Sequence, residues 1–466
     1  MENTQIFKRY LNPNKLQEIE EGKEGKEAFF NLIETIPRNL TEEAFNEEVA
    51  DLIIEYTHMI MLKSTKDVYI YNYTTHRWES KGEIWLQRLV YEVTKSVDET
   101  NLWYRERNTC EHIKRKLCML ETFSDDYLVL TNGTFDRRTG EIIESQSNHY
   151  AHFFSTVVYD SEKKCARFLQ FLNEVFYSDQ STIAFVQEWF GYVLLSSHQA
   201  NAFLIGYGSG ANGKSLLFAL LAKLVGECNT SSSGISAFQS RFGMEVMHNK
   251  LLNLATESDV NSFETATLKA VTAGEPITLN RKGIKEITCI LPTKFIFLMN
   301  HLPLITDSSY GFSRRLLILP FPRTFRPEEQ DPFLLEKMTL ELSGILNFAL
   351  EGAKRLIKNG YQFTISDLMN EAKEQFLGCV HPLSYFKAHY LSKNPTRKVE
   401  SNLLFQTFQK MLKERNWSAR QYGTLRSFNK GLIELFEAEG FVISIKKSNG
   451  KTYLSGIVLN QSIQEL

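Results

Sequence analysis

Residues 202–226, AFLIGYGSGANGKSLLFALLAKLVG, set the reading of the whole chain. An apolar run is followed by Gly208-Ser209-Gly210-Ala211-Asn212-Gly213-Lys214-Ser215, and then by a second apolar run with helical spacing. A strand, a G-x-x-x-x-G-K-S turn and a helix, in that order, are the context a phosphate-binding loop requires. Glycines let the backbone wrap closely, so that its N–H groups and the N-terminus of the following helix point at α- and β-phosphates. Lys214 then reaches the β- and γ-phosphates, and the Ser215 hydroxyl offers an oxygen ligand to Mg²⁺. The loop predicts a bound nucleotide. Hydrolysis needs more: a group that orients or deprotonates water near the γ-phosphate.

Working outward, three further apolar runs alternate with glycine turns and helical stretches: LLNLAT (251–256), KFIFLMN (294–300) and RRLLILPF (314–321). This alternation predicts an α/β core with a parallel sheet whose strands end in polar residues, where ligands gather in open α/β sheets. Glu257 follows the first of these strands as a candidate acid for Mg²⁺ and water. Asn300 ends the second, placed to hydrogen-bond a γ-phosphate or attacking water, and Arg314-Arg315 precede the third. A guanidinium near the γ-phosphate stabilises transition-state charge and, when donated by a neighbouring subunit, ties hydrolysis to assembly.

The order of these motifs resembles the superfamily 3 helicases, in the branch of the poxvirus primase-helicase and the replication proteins of phages, plasmids and phage satellites. The matching residues are GSGANGKS (208–215), LLNLATES (251–258), LKAVTAGEPITLNRKG (268–283), PTKFIFLMNHLPLI (292–305) and GFSRRLLILPF (311–321). The stretch from Leu128 to Leu195 is similar to the helical domain that precedes the helicase core in that branch. The resemblance implies an AAA+ P-loop core that assembles into a homo-hexameric ring, with ATP and Mg²⁺ as cofactors bound between subunits. It makes Glu257 the Walker B acid, Asn300 the sensor, and Arg314 or Arg315 the finger on the neighbour's nucleotide. It also implies a hairpin, here ITLNRKGIKEITCI, that holds single-stranded DNA in the ring channel through Arg281, Lys282 and Lys285. Cations at a hairpin tip suit phosphate contact without base readout. The chain departs from many relatives in having Thr256 where a second acid precedes Glu257, with Asp259 two residues beyond. No Asp-x-Asp followed by a suitable His precedes residue 120, so priming is not expected of this chain.

The remaining sequence frames that core. The 466 residues are enough for several domains, and 43% apolar residues can bury a sizeable core, which excludes wholesale disorder. A net charge of −2 excludes a globally basic binder, so any contact with nucleic acid must come from local patches. The six cysteines form no CxxC pair, and neither a disulfide framework nor a zinc site is expected. A polar N-terminus and the lack of a long uncharged apolar run predict a cytoplasmic protein with no membrane span.

Residues 1–120 read as mostly helical with a hairpin at DVYIYNYTTHRW (67–78), 121–198 as a helical domain, 199–330 as the core, 331–395 as a helical extension and 396–466 as a winged-helix-like module. Between Arg397 and Lys451 stand eleven basic and five acidic side chains. Arg420, Arg426 and Lys430 are candidate contacts to duplex DNA such as an origin, with Lys446, Lys447 and Lys451 in a wing that turns at Asn449-Gly450. The expectation is an ATP-dependent DNA helicase serving replication of a mobile element alongside proteins such as a primase or polymerase. The alternative is a P-loop switch or scaffold ATPase whose nucleotide state controls assembly without strand separation.

Overall fold

The structure is a computed structural model that describes residues 9–17, 36, 40–80, 82–97, 102–256, 265–300, 310–380, 382–415, 417, 419, 422–437, 440–448 and 450–460. Near the N-terminus, α1 (Glu42–Tyr56) starts at Thr41, whose hydroxyl accepts a hydrogen bond from the Ala44 N–H at 3.3 Å. Then come β1 (Met59–Leu62), β2 (Val68–Asn72), β3 (Arg77–Glu79), α2 (Gly82–Val97), α3 (Leu102–Lys116) and β4 (Cys118–Leu120). The four strands form one sheet in the order β3-β2-β1-β4, closed over a core that includes Val49, Ile53, Leu86, Val90 and Ile113. The hairpin expected at 67–78 is β2–β3. A region read as mostly helical therefore also contains a four-stranded sheet. Its β4 partner pairs in parallel with β1 from far along the chain, and two of its three side chains are exposed, so it lacks the alternation that marks a strand.

A second sheet, ordered β7-β6-β5-β8, is built from β5 (Ser124–Leu130), β6 (Gly133–Asp136), β7 (Glu141–Ile143) and β8 (Ala151–Phe154). The helices α4 (Ala166–Val175) and α5 (Gln180–Leu194) follow. The chain breaks between them at Tyr177 and Ser178, both at positive φ, and Asp179 caps α5 by accepting from the Ser181 N–H at 3.0 Å. The fully buried Arg137, just past β6, donates to the carbonyls of Leu194 (2.8 Å) and Leu195 (3.1 Å), and also to that of Asp125.

The central sheet consists of β9 (Phe203–Tyr207), β10 (Thr230–Ser231), β11 (Leu252–Thr256), β14 (Lys294–Met299) and β15 (Leu316–Pro320). All its pairings are parallel, in the order β10-β11-β14-β9-β15. The helix α6 (Lys214–Val225) leads away from β9, and α7 (Thr265–Thr272) precedes the antiparallel hairpin of β12 (Ile277–Arg281) and β13 (Ile284–Cys289). β14 is buried along its whole length, as expected for a strand covered on both faces.

Beyond the sheet lie α8 (Leu334–Thr339), α9 (Leu342–Lys358) and α10 (Asp367–Val380). α9 packs on α5 at backbone distance: a Cβ on Gly352 would lie 1.9 Å from the Gln187 carbonyl oxygen, and one on Gly191 2.2 Å from the Ala353 nitrogen. At this crossing the buried Glu188 carboxylate accepts from Arg355 Nε at 2.7 Å, the Thr364 N–H at 2.6 Å and the Thr364 hydroxyl at 2.8 Å. A buried carboxylate so fully partnered is a structural ion pair.

The last elements are α11 (Pro382–Tyr390), β16 (Leu391–Glu400), α12 (Ser401–Glu414), α13 (Leu425–Glu437), β17 (Ser444–Ser448) and β18 (Lys451–Leu459). They share a core around Leu383, Phe386, Phe408, Phe428 and Leu454. The strands form an antiparallel sheet ordered β16-β18-β17, and the expected C-terminal hairpin is β17–β18. Among the described residues, no helix is long and apolar enough to cross a membrane.

Candidate functional site

The glycine-rich loop leaves the C-terminal end of β9 and turns directly into α6. Gly210 (φ 106°), Ala211 (φ 47°) and Gly213 (φ 85°) adopt left-handed conformations, and Gly213 is the residue that caps the helix. Close packing adds a second constraint: a Cβ on Gly208 would lie 2.2 Å from Asn212 Nδ2, and one on Gly213 3.0 Å from the Phe171 ring. The loop closes around Lys214, which is largely buried. Its ammonium donates to the Gly208 carbonyl, to Asn212 Oδ1 at 3.1 Å and to Asn300 Oδ1 at 3.2 Å.

The loop opens onto a cavity of 630 Å³ whose lining includes Gly210–Leu216, Thr256 and Asn300. Three adjacent strands thus deliver Thr256 (β11), Asn300 (β14) and the loop (β9) to the same edge of the sheet. Ser215 lines the cavity beside Lys214; Ser209 belongs to the loop without lining it. Glu257, the candidate acid for Mg²⁺ and water, lies outside the described residues. No group of three or more His, Cys, Asp or Glu among the described residues could hold a metal ion. The donor set nevertheless fits a hard cation that takes most of its oxygen ligands from phosphate and water, with one hydroxyl from Ser215.

Sequence reasoning missed two walls of this cavity. Arg167, Phe171 and Glu174 come from α4, and Phe325, Asp331 and Leu334 from the chain beyond β15. Phe325 is tied to the loop through its N–H, which donates to the Ala211 carbonyl at 2.8 Å. Phe171 is buried, as an aromatic on a packed helix should be, yet it also faces the loop. No local pattern marks a core residue as a cavity wall.

The two adjacent arginines have different environments. Arg315 is buried: its Nη1 donates to the Gly311 carbonyl at 2.7 Å, its Nε has no hydrogen-bond partner among the described residues, and burial lowers its pKa. Arg314 is exposed. Both precede β15, whose first residue Leu316 pairs with Phe203, whereas the loop emerges at the other end, where Pro320 pairs with Tyr207. The arginines and the chain's own glycine-rich loop therefore occupy opposite edges of the sheet, separated by the length of β15, about 16 Å at ~3.3 Å per residue.

At the tip of the β12–β13 hairpin, Lys282 is exposed beside Gly283 (φ 74°), and Arg281 is half-buried at the end of β12. The Lys282 N–H donates to Glu245 Oε2 at 3.3 Å, which braces the turn. Lys285 lies on β13. In the C-terminal unit, Arg426 and Lys430 are exposed on α13, Lys430 within 3.8 Å of Glu434, and Lys446 and Lys447 are exposed on β17. Lys451 is paired with Glu400 at 2.8 Å, which reduces its use as a phosphate contact. Arg420 lies outside the described residues. Cys110, Cys118, Cys165, Cys228 and Cys289 are free thiols.

Among solved structures the chain is similar to an A-form apo structure of the NrS-1 C-terminal region, at 15% identity and TM-score 0.47, covering 91% of this chain and 100% of that one. A second apo structure of the same region gives 14% identity and TM-score 0.49, covering 90% of this chain and 100% of that one. Two family models match consecutive parts of the sequence. Residues 50–177 match the family described as D5 N terminal like, and residues 206–315, from the end of β9 to Arg315, match a family of unknown function, DUF5906.

Proposed function

We infer that this chain is an ATP-dependent DNA helicase that works as a homo-hexameric ring, with an AAA+ core and a winged-helix-like C-terminal unit, in replication of a phage-type mobile element. The observation that carries this reading is the contact of Asn300 Oδ1 with Lys214 Nζ at 3.2 Å, at the sheet edge where the glycine-rich loop and Thr256 also meet. An ammonium fixed on three oxygens in a near-enclosed loop is set to exchange them for phosphate oxygens. Loop N–H groups and the start of α6 hold the α- and β-phosphates, Lys214 the β- and γ-phosphates, and Asn300 is placed to orient the attacking water. Ser215 and Glu257 are the protein groups that would hold Mg²⁺, which would neutralise charge on the phosphates.

Hydrolysis then needs a cation opposite Lys214. Arg314 is exposed at the far edge of its own sheet, which suits the cavity of a neighbouring copy, whereas Arg315 is held inside its own subunit. Turnover that depends on a neighbour is the basis of a ring motor, and Arg281, Lys282 and Lys285 on the hairpin are the residues that would hold single-stranded DNA. The D5 N-terminal-like match over 50–177 supports the replication context. The test is a forked-duplex unwinding assay run with ATP hydrolysis. ATP-dependent strand release and DNA-stimulated turnover are expected. Turnover that DNA does not stimulate, with no strand release, identifies a nucleotide-controlled scaffold instead.

A further inference from the structure

The cavity beside the glycine-rich loop is chemically divided. At one end lie the loop N–H groups and Lys214, which attract phosphate. The rest of the lining, from α4 and the chain after β15, carries the carboxylates of Glu174 and Asp331 together with the rings of Phe171, which lies against Gly213, and Phe325, whose N–H is bonded to Ala211. Asp331 is paired with Lys337 at 2.6 Å, and the remaining lone pairs of both carboxylates can accept from the ring N–H or exocyclic amine of a nucleobase. Beside Glu174 stands Arg167. Its Nη1 is buried, lies 3.7 Å from Glu174 Oε1, and has no hydrogen-bond partner among the described residues. A buried guanidinium N–H without an acceptor is costly, and the adjoining space is the cavity it lines. Its backbone is fixed independently of that guanidinium. The N–H groups of Arg167 and Phe168 donate to the two Glu341 carboxylate oxygens at 3.1 and 2.9 Å, which anchors the start of α4.

We propose that α4 is the base-recognising wall of the nucleotide site, with Arg167 donating through Nη1 to an acceptor on the base of the nucleotide whose phosphates lie on Lys214. This rests on the nucleotide-binding reading of the cavity. It adds that the base is held by the same subunit that holds the phosphates, through a helix lying outside the stretch from β9 to Arg315. Arg323 supports that wall: its guanidinium sits 4.5 Å from the Phe325 ring centroid and 3.2 Å from Glu329, which fixes the aromatic beside the base.

The experiment measures binding of ATP and of inorganic tripolyphosphate, with Mg²⁺, to the full chain and to its Arg167→Ala and Arg167→Lys variants. Tripolyphosphate reports the phosphate end alone and shows that each variant is folded. The expected result is that Arg167→Ala weakens ATP by about tenfold or more, the scale of a charged hydrogen bond, while tripolyphosphate affinity is unchanged. Arg167→Lys, which lacks the planar fork, recovers only part of the loss. Equal weakening of both ligands would make Arg167 a phosphate or structural residue and overturn the proposal, as would unchanged ATP affinity. Wild-type protein that binds neither ligand defeats the underlying nucleotide reading instead, so the two failures are separable.

Discussion

Lys214 and Lys282 carry the same charge in opposite surroundings. Lys214 is largely buried, with its ammonium held on three oxygens from three parts of the loop and sheet, whereas Lys282 stands exposed at a turn braced by a backbone contact to Glu245. The first arrangement is pre-organised: little reordering would be needed for a phosphate to take the place of those oxygens. The second keeps a hydrated cation at the surface, which suits a backbone contact that must be made and released repeatedly. On the proposed function, the contrast is how a chain of net charge −2 would act on polyanions, with one cation fixed for a small ligand and others at projecting tips.

The strongest way to break this contrast is to remove the fixed cation. Lys214→Ala is expected to reduce ATP turnover to background and abolish forked-duplex unwinding, measured by phosphate release and strand separation; unwinding that survives would sink the ATP-driven mechanism. Next in size is Arg314→Ala, for which turnover is expected to fall by about 10³-fold with ATP affinity retained. Mixing this variant with Lys214→Ala protein should restore part of the activity, because each supplies what the other lacks at a shared site. A mixture as inactive as its components would refute the division between subunits. Arg281→Ala with Lys282→Ala should leave DNA-free turnover unchanged and remove its stimulation by single-stranded DNA, lowering the salt slope of binding by roughly one for each phosphate no longer neutralised. The smallest effect is expected for Lys430→Ala, a reduction of duplex affinity by a few-fold seen in a titration at fixed salt, since the side chain already shares its charge with Glu434.

The parts legible in the sequence were those with a local signature. The glycine-rich loop, the four long strands of the central sheet and the hairpin at 444–459 announce themselves through periodicity or turn chemistry, whereas the hairpin at 277–289 is expected only from the family resemblance. Long-range pairing does not. β8 joins β5 in parallel, and β10 has two residues. β16 is charged and contains Pro395, which falls where its register with β18 shifts between Asn394 and Lys398, so a strand there has no readable pattern. The site divides in the same way. The chemistry of Lys214, Ser215 and Asn300 follows from motif and strand end, whereas Arg167 and Phe325 reach the cavity only because α4 and the segment after β15 fold back over the loop.

Arg137 has a practical consequence for cutting this chain. Its guanidinium is bonded to the carbonyls that end α5, and the core beneath runs without interruption from Leu128 through Phe171 and Leu217 to Leu356. A fragment beginning at the glycine-rich loop would lose the α4 wall and expose the apolar side chains that α5 covers. A fragment ending before the loop would strip that same core of its other half. A minimal unit that retains the cavity therefore has to begin no later than β5 and to include α10, whose Met369, Ala372 and Phe376 join the cores on the sheet, and limited proteolysis of the native protein should leave residues 124–380 as one resistant piece.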